Sequence, residues 1–362
     1  MKTFLMENNA DSIRFLGRTL IPADKKEIFF DYSGTGMEFR YIGRVLTCHF
    51  NAVAGDEPSS VFAPKSIAKW KVWPRVAVYL DGSDEPHRII TVDRPDKDEI
   101  IFSSCEKEDH VIRIVKLTEI VKSGLSADSF FGDGTILPVK TAKKPVIEFV
   151  GDSITCGFGI LARPETAWFY GEHEDFTKTY AYLTAKALGM EAQAVSCSGF
   201  CVKMKDWNGR LYGIAEMYPY TDIWRQEMNG ESPELWDFKH HHADIVVINL
   251  GSNDAGGVAI SKDPQKAEDA FEEDYYNLIA DIRARNGLYT KIVCVLGDMQ
   301  YYLYDRIAAA AKRFIADTGD TKVYVKKLMP GDNFDVRGAA NHPGVMAGER
   351  MAKELTAFLS SI

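Results

Sequence analysis

No run in this 362-residue chain is long and apolar enough to span a bilayer, so no membrane partner is expected. No lysine and arginine cluster is large enough for a basic face, and the formal net charge is -9, which argues against a nucleic-acid partner. The six cysteines (Cys48, Cys105, Cys156, Cys197, Cys201 and Cys294) lack paired spacing and read as reduced packing residues. Gly151-Asp152-Ser153 lacks the lysine of a phosphate loop. His240-His241-His242 cannot converge on one ion from a strand or helix, and no acidic or cysteine set is spaced with it. Neither a cofactor nor a metal is therefore expected. The apolar part of Met1 to Asn9 is too short for a signal-peptide core, and Glu7 interrupts it, so a cytoplasmic location is the expectation.

The length exceeds what one core usually serves, and the pattern changes half-way. From Ser12 to about Lys122, short alternating runs are separated by turn residues: Glu27 to Asp31, Gly36 to Tyr41, Val45 to Phe50, Arg75 to Leu80, Arg88 to Val92, Glu99 to Ser103 and His110 to Val115. This pattern predicts an antiparallel β-sandwich of jelly-roll type. Ser123 to Pro145, rich in glycine and punctuated by proline, reads as a connection. The expected domains are 1–130 for the sandwich, 131–145 for a linker and 146–362 for the second domain.

In the second domain strands alternate with helices. Strands are expected at Val146 to Val150, Glu191 to Ser196, Asp244 to Leu250, Lys291 to Leu296 and Val323 to Leu328. Helices are expected at Asp175 to Leu188, Pro264 to Asn286, Tyr304 to Thr318 and Val345 to Leu359. Five strands in such alternation predict a doubly wound α/β/α domain with a five-stranded parallel sheet.

The first of these strands stops at Gly151, and Ser153 follows. In open α/β folds, ligands gather where strands end. A serine hydroxyl is a weak nucleophile unless a base lies within hydrogen-bond reach, and the best candidate base is His342 in Asn341-His342-Pro343-Gly344. Ser196-Cys197-Ser198-Gly199 and Gly251-Ser252-Asn253-Asp254 could supply donors to an oxyanion. Singly, such a serine is a helix cap and such an asparagine a turn former; the inference rests on the set.

The four segments, in this order, resemble the SGNH (GDSL) hydrolase superfamily, and the preceding β-region resembles that of carbohydrate esterase family 2. The narrower likeness is carried by Glu38 to Gly43 and His110 to Glu119. The resemblance implies a serine carboxylic-ester hydrolase. Ser153 would attack the carbonyl and His342 would carry the proton. The Asn253 amide and the backbone N–H groups of Gly199 and Ser153 would form the oxyanion hole. It also implies removal of acetyl groups from xylan- or mannan-type oligosaccharides, with an acetylated oligosaccharide as partner. The superfamily usually places an aspartate three residues before the histidine, where this chain has Ala339. Family 2 esterases are known for Ser-His dyads. A backbone carbonyl before His342 is the simplest expected orienter, with Asp335 and Asp332 ranked next. Among the aromatic residues of the later loops, Trp207 and Tyr301 are the candidate sugar-stacking residues. The alternatives are another esterase or thioesterase of the superfamily, and a non-catalytic glycan-binding protein.

Overall fold

The computed structural model describes residues 1–59, 66–140, 143–203, 212–331 and 336–362. The chain forms two compact units. One contains residues 1–143 with 170–172 and 222–233, and the other contains 144–169, 173–221 and 234–362.

The first unit is antiparallel. Its strands are β1 (Lys2–Leu5), β2 (Arg14–Leu16), β3 (Ile28–Phe29), β4 (Gly36–Glu57), β5 (Trp70–Val72), β6 (Arg75–Leu80), β7 (Arg88–Thr91), β8 (Asp96–Lys116), β9 (Ser123–Gly132) and β10 (Thr135–Leu137). The main order is β1-β9-β4-β8-β6-β7. Alternate residues of β4, β8 and β9, among them Phe39, Phe50, Ile112 and Phe130, bury the apolar face. The Phe39 and Phe130 rings meet edge to face at 5.1 Å.

Two expectations are corrected here. The runs Gly36 to Tyr41 and Val45 to Phe50 belong to one strand, because a register shift between Gly43 and Val45 absorbs the break. The Asp133 carboxylate accepts the Arg44 N–H at 2.8 Å and the Val45 N–H at 3.2 Å, so the bulge keeps its backbone donors satisfied. The stretch from Ser123 onward is not a connection at first but β9, paired with β1, β3 and β4. Its serines and glycines have turn propensity, but Leu125, Ala127 and Phe130 are fully buried, and their packing outweighs it.

Two buried cations tie this unit together. Lys116 is fully buried, and its ammonium donates to the carbonyls of Asp31, Thr118, Glu119 and Ser123 at 2.7 to 3.3 Å. Arg225, on the short helix Ile223–Met228, grips Asp31 through Nε at 2.8 Å and Nη2 at 3.0 Å. Burial, reinforced by the Asp31 charge, pushes the nearby Asp222 carboxyl well above the usual carboxylate range.

The second unit holds a parallel sheet of β11 (Val146–Gly151), β12 (Glu191–Ser196), β13 (Ile245–Asn249), β14 (Lys291–Leu296) and β15 (Val323–Lys327), in the order β12-β11-β13-β14-β15. Helices Tyr180–Ala187, Pro264–Asn286, Tyr304–Thr318 and Val345–Leu359 cross between strands or close the fold. Local chemistry sets their ends. Asp263 accepts the Lys266 N–H, Pro264 opens the longest helix, and Gly287 ends it in the left-handed region at φ 84°. The helix expected from Asp175 starts later. Asp175 caps a single turn at Phe176–Lys178, and the extended Thr179 then caps the helix proper. Among the described residues, no helix is long and apolar enough to cross a membrane. Among the described residues, the six cysteines form no disulfide.

Candidate active site

β11 ends at Gly151 and the chain turns at once into the short helix Ser153–Cys156. A β-carbon at Gly151 would come within 2.1 Å of Thr155 Oγ1, so the tight turn requires glycine there. Asp152 is the cap of that helix, and its Oδ1 accepts the Ile154 N–H at 3.0 Å. Below the turn, the Thr155 hydroxyl meets the Tyr180 hydroxyl at 2.8 Å, and the Asn249 amide donates to the same Tyr180 oxygen at 3.2 Å. Burial raises the Tyr180 phenol above its ordinary value, keeping it neutral as a link in this network. Ser153 is 7% exposed and stands at the carboxyl edge of the sheet, just after β11.

The base arrives from 189 residues downstream, with His342 Nε2 lying 2.8 Å from Ser153 Oγ. Its Nδ1 lies 3.0 Å from the Ala339 carbonyl oxygen. A carbonyl can only accept, so Nδ1 carries the proton and Nε2 is left as the acceptor for the serine O–H. The same carbonyl accepts the His342 backbone N–H at 3.0 Å. One oxygen therefore fixes both the ring and the main chain of His342. Ala339, where the superfamily pattern would have an aspartate, contributes its backbone instead of a side chain.

Asn253 lies in the first turn of the helix Ser252–Ala259, which follows β13. Its amide donates to the Phe200 carbonyl at 3.0 Å and makes a long contact of 3.4 Å to Asp152 Oδ2. It is thereby joined to the residue after Gly199 and to the residue before Ser153. Gly199 takes φ 75° in the turn after β12. The structure thus gathers Ser153, His342 and Asn253 at one edge, with Gly199 beside the carbonyl that holds the Asn253 amide.

Three contributors were not singled out from the sequence as functional. The Phe158 ring packs against the His342 imidazole. Asp254, 1% exposed, accepts the Val202 N–H on both carboxylate oxygens at 3.2 Å and anchors the chain just beyond Gly199. Their sequence signal was only adjacency: Phe158 follows the serine by five positions, and Asp254 follows Asn253 directly. Asp298 is the third, and it bears on the segment that carries His342. Tyr301 is half-buried, with Lys327 Nζ 5.0 Å from its ring centre and its hydroxyl accepting the Asp298 N–H at 3.5 Å. Trp207, Asp332 and Asp335 lie outside the described residues. His240, exposed, bonds Asp237 at 2.6 Å.

A family model described as GDSL-like Lipase/Acylhydrolase matches residues 147–352, more than half of the chain. The chain belongs to this family. Among curated proteins, this GDSL-like chain is 31% identical over 235 residues to the cellulase/esterase CelE of Acetivibrio thermocellus, covering 64% of the chain and 27% of that protein. It is 28% identical over 195 residues to an acetylxylan esterase / glucomannan deacetylase of Cellvibrio japonicus, covering 51% of each. The matches therefore span about a quarter and about half of these relatives' lengths. Among solved structures, a family two carbohydrate esterase from Clostridium thermocellum in complex with cellohexaose is 25% identical, with a TM-score of 0.79 over 96% of this chain and 98% of that one. That likeness extends over both units, and the antiparallel sheet followed by a five-stranded parallel sheet is the fold of the family two esterases.

Proposed function

We propose that the protein is a carbohydrate O-acetylesterase acting through a Ser153-His342 dyad. The observation that carries this reading is the 2.8 Å approach of His342 Nε2 to Ser153 Oγ, with Nδ1 committed to a carbonyl. Ser153 Oγ attacks the ester carbonyl while Nε2 takes its proton. The oxyanion of the tetrahedral intermediate meets the backbone N–H groups of Ser153 and Gly199 and the Asn253 amide. The Phe200 bond fixes that amide's plane, and its loosely held contact to Asp152 is the one exchanged for the oxyanion. The imidazolium returns its proton to the leaving alcohol. Water then repeats the sequence on the acetyl-enzyme, releasing acetate.

The substrate assignment follows the relatives, one named as an acetylxylan esterase / glucomannan deacetylase and one solved with cellohexaose. We assign acetylated xylan- or mannan-type oligosaccharides, with Trp207 and Tyr301 as the aromatic residues to test for sugar contact. The experiment is acetate release from defined acetylated oligosaccharides by the wild type and by Ser153→Ala, beside a series of p-nitrophenyl esters of rising chain length. The reading expects loss of activity in Ser153→Ala and a preference for acetyl. A preference for long acyl chains would point to a lipase-like enzyme. Wild-type protein that binds oligosaccharide and releases no acetate would point to a binding protein.

A further inference from the structure

The orienting acceptor of His342 is a piece of backbone, and a backbone carbonyl is only as well placed as its loop. That loop is unusual. Ala340 and Asn341 both lie in the left-handed region, at φ 47° and 62°, a conformation that the surrounding structure must enforce. Asp298 stands two residues beyond β14 and is itself left-handed at φ 79°. Its side chain is 0% exposed, and its carboxylate pairs with two guanidinium groups. Oδ2 accepts from Arg337 Nη1 and Oδ1 from Arg350 Nη2.

The two arginines flank the histidine. Arg337 forms a β-bridge with Pro343, and the next residue, Gly338, donates its N–H to the His342 carbonyl at 2.8 Å. Arg350 sits on the helix Val345–Leu359 that follows the histidine, and its Nη1 donates to the Met329 carbonyl at 2.7 Å. A single buried carboxylate thus fastens both ends of the His342 segment to the carboxyl edge of the parallel sheet.

We propose that Asp298 is a positioning residue for His342, acting at a distance through Arg337 and Arg350. Its carboxylate bonds to the two arginines, and through them it holds Ala339 and His342 in register. The proposal rests on the Ser153-His342 reading of the site. A ring that wanders from the serine loses rate rather than affinity, so the effect belongs in kcat.

The test compares Asp298→Asn, Arg337→Gln and the double variant on p-nitrophenyl acetate, with thermal unfolding measured alongside. Asp298→Asn is expected to lower kcat about 10- to 100-fold at temperatures well below its Tm, with KM nearly unchanged. Arg337→Gln is expected to lower kcat in the same way, and the double variant to fall little further than the worse single one, because both changes break one connection. Arg337 is 26% exposed, and its loss leaves Asp298 paired with Arg350, so this variant carries the test if Asp298→Asn does not fold. A lowered Tm with kcat intact in Arg337→Gln, or losses that simply multiply in the double variant, would overturn the proposal. Ser153→Ala separates the two levels. If it retains activity, the dyad reading has failed; if it is inactive while Arg337→Gln keeps full kcat, only the positioning role has failed.

Discussion

The Phe158 ring centre lies 4.5 Å from that of His342, with the planes 33° apart. When the imidazole takes the serine proton it becomes a cation lying against a π-face, which stabilises it. Together with the Ala339 carbonyl on Nδ1, this contact supports the new charge. Phe158→Leu is expected to lower kcat/KM about 2- to 30-fold. Loss of a group that favours the charged ring lowers the ring's pKa, so the acid limb of the pH–rate profile should move to lower pH. Phe158→Tyr should keep the wild-type profile.

Restoring the missing aspartate should not help. The Ala339 side chain is fully buried, and the position of a β-carbon at Gly159 would be only 2.3 Å from its own β-carbon. A carboxylate at 339 would have to open that contact, and the Ala339 N–H bond to the Gly159 carbonyl at 3.0 Å with it. Ala339→Asp is expected to cost about tenfold or more in kcat, because the carbonyl serving Nδ1 shifts with the loop. Steady-state kinetics decide it, and an increase would refute the packing argument.

Asn253→Ala removes a donor from the proposed oxyanion hole and releases the Phe200 carbonyl. The expected loss is roughly 100- to 1000-fold in kcat with a smaller change in KM. A loss confined to KM would make Asn253 a binding residue instead.

Much of this site was legible in the sequence because its chemistry demands residue types at fixed places. Ser153 and His342 were singled out at strand and helix boundaries, and the fold brings them to 2.8 Å of each other; the helices Pro264–Asn286 and Val345–Leu359 had clear caps or periodicity. The kind of group that holds His342 could be reasoned out, but not that it would be Ala339's own carbonyl, since the left-handed backbone at Ala340 and Asn341 that follows it leaves no mark in the residue types. Asp298 was invisible for a similar reason. Its partners lie 39 and 52 residues away, and only the fold brings them to it. β9 was misread because serine and glycine have turn preferences, and the neighbouring strands override them.

A pH effect on stability is expected away from the site. His110 bonds Glu108 at 2.7 Å and Asp81 at 2.6 Å, and the Glu108 bond foremost raises its pKa. A raised folded value means that the contribution is complete below the unfolded imidazole pKa of about 6.5 and is lost as pH climbs through the folded value. His110→Gln should therefore lower Tm at about pH 5.5 and leave it nearly unchanged at about pH 9. The effect should be small, because Asp81 and Glu108 are about half exposed.

The grip of Arg225 on Asp31 limits how this polypeptide can be taken apart. Residues 222–233 interrupt the catalytic half in sequence yet fold with the antiparallel half. An excised catalytic fragment beginning at Lys144 would carry a guanidinium evolved for burial with its counter-charge deleted. Removing one member of such a pair typically costs about 3–5 kcal/mol. Modular exchange of the two halves at a single junction would therefore fail, and a working chimera would have to transplant the 222–233 insert together with the sheet that receives it.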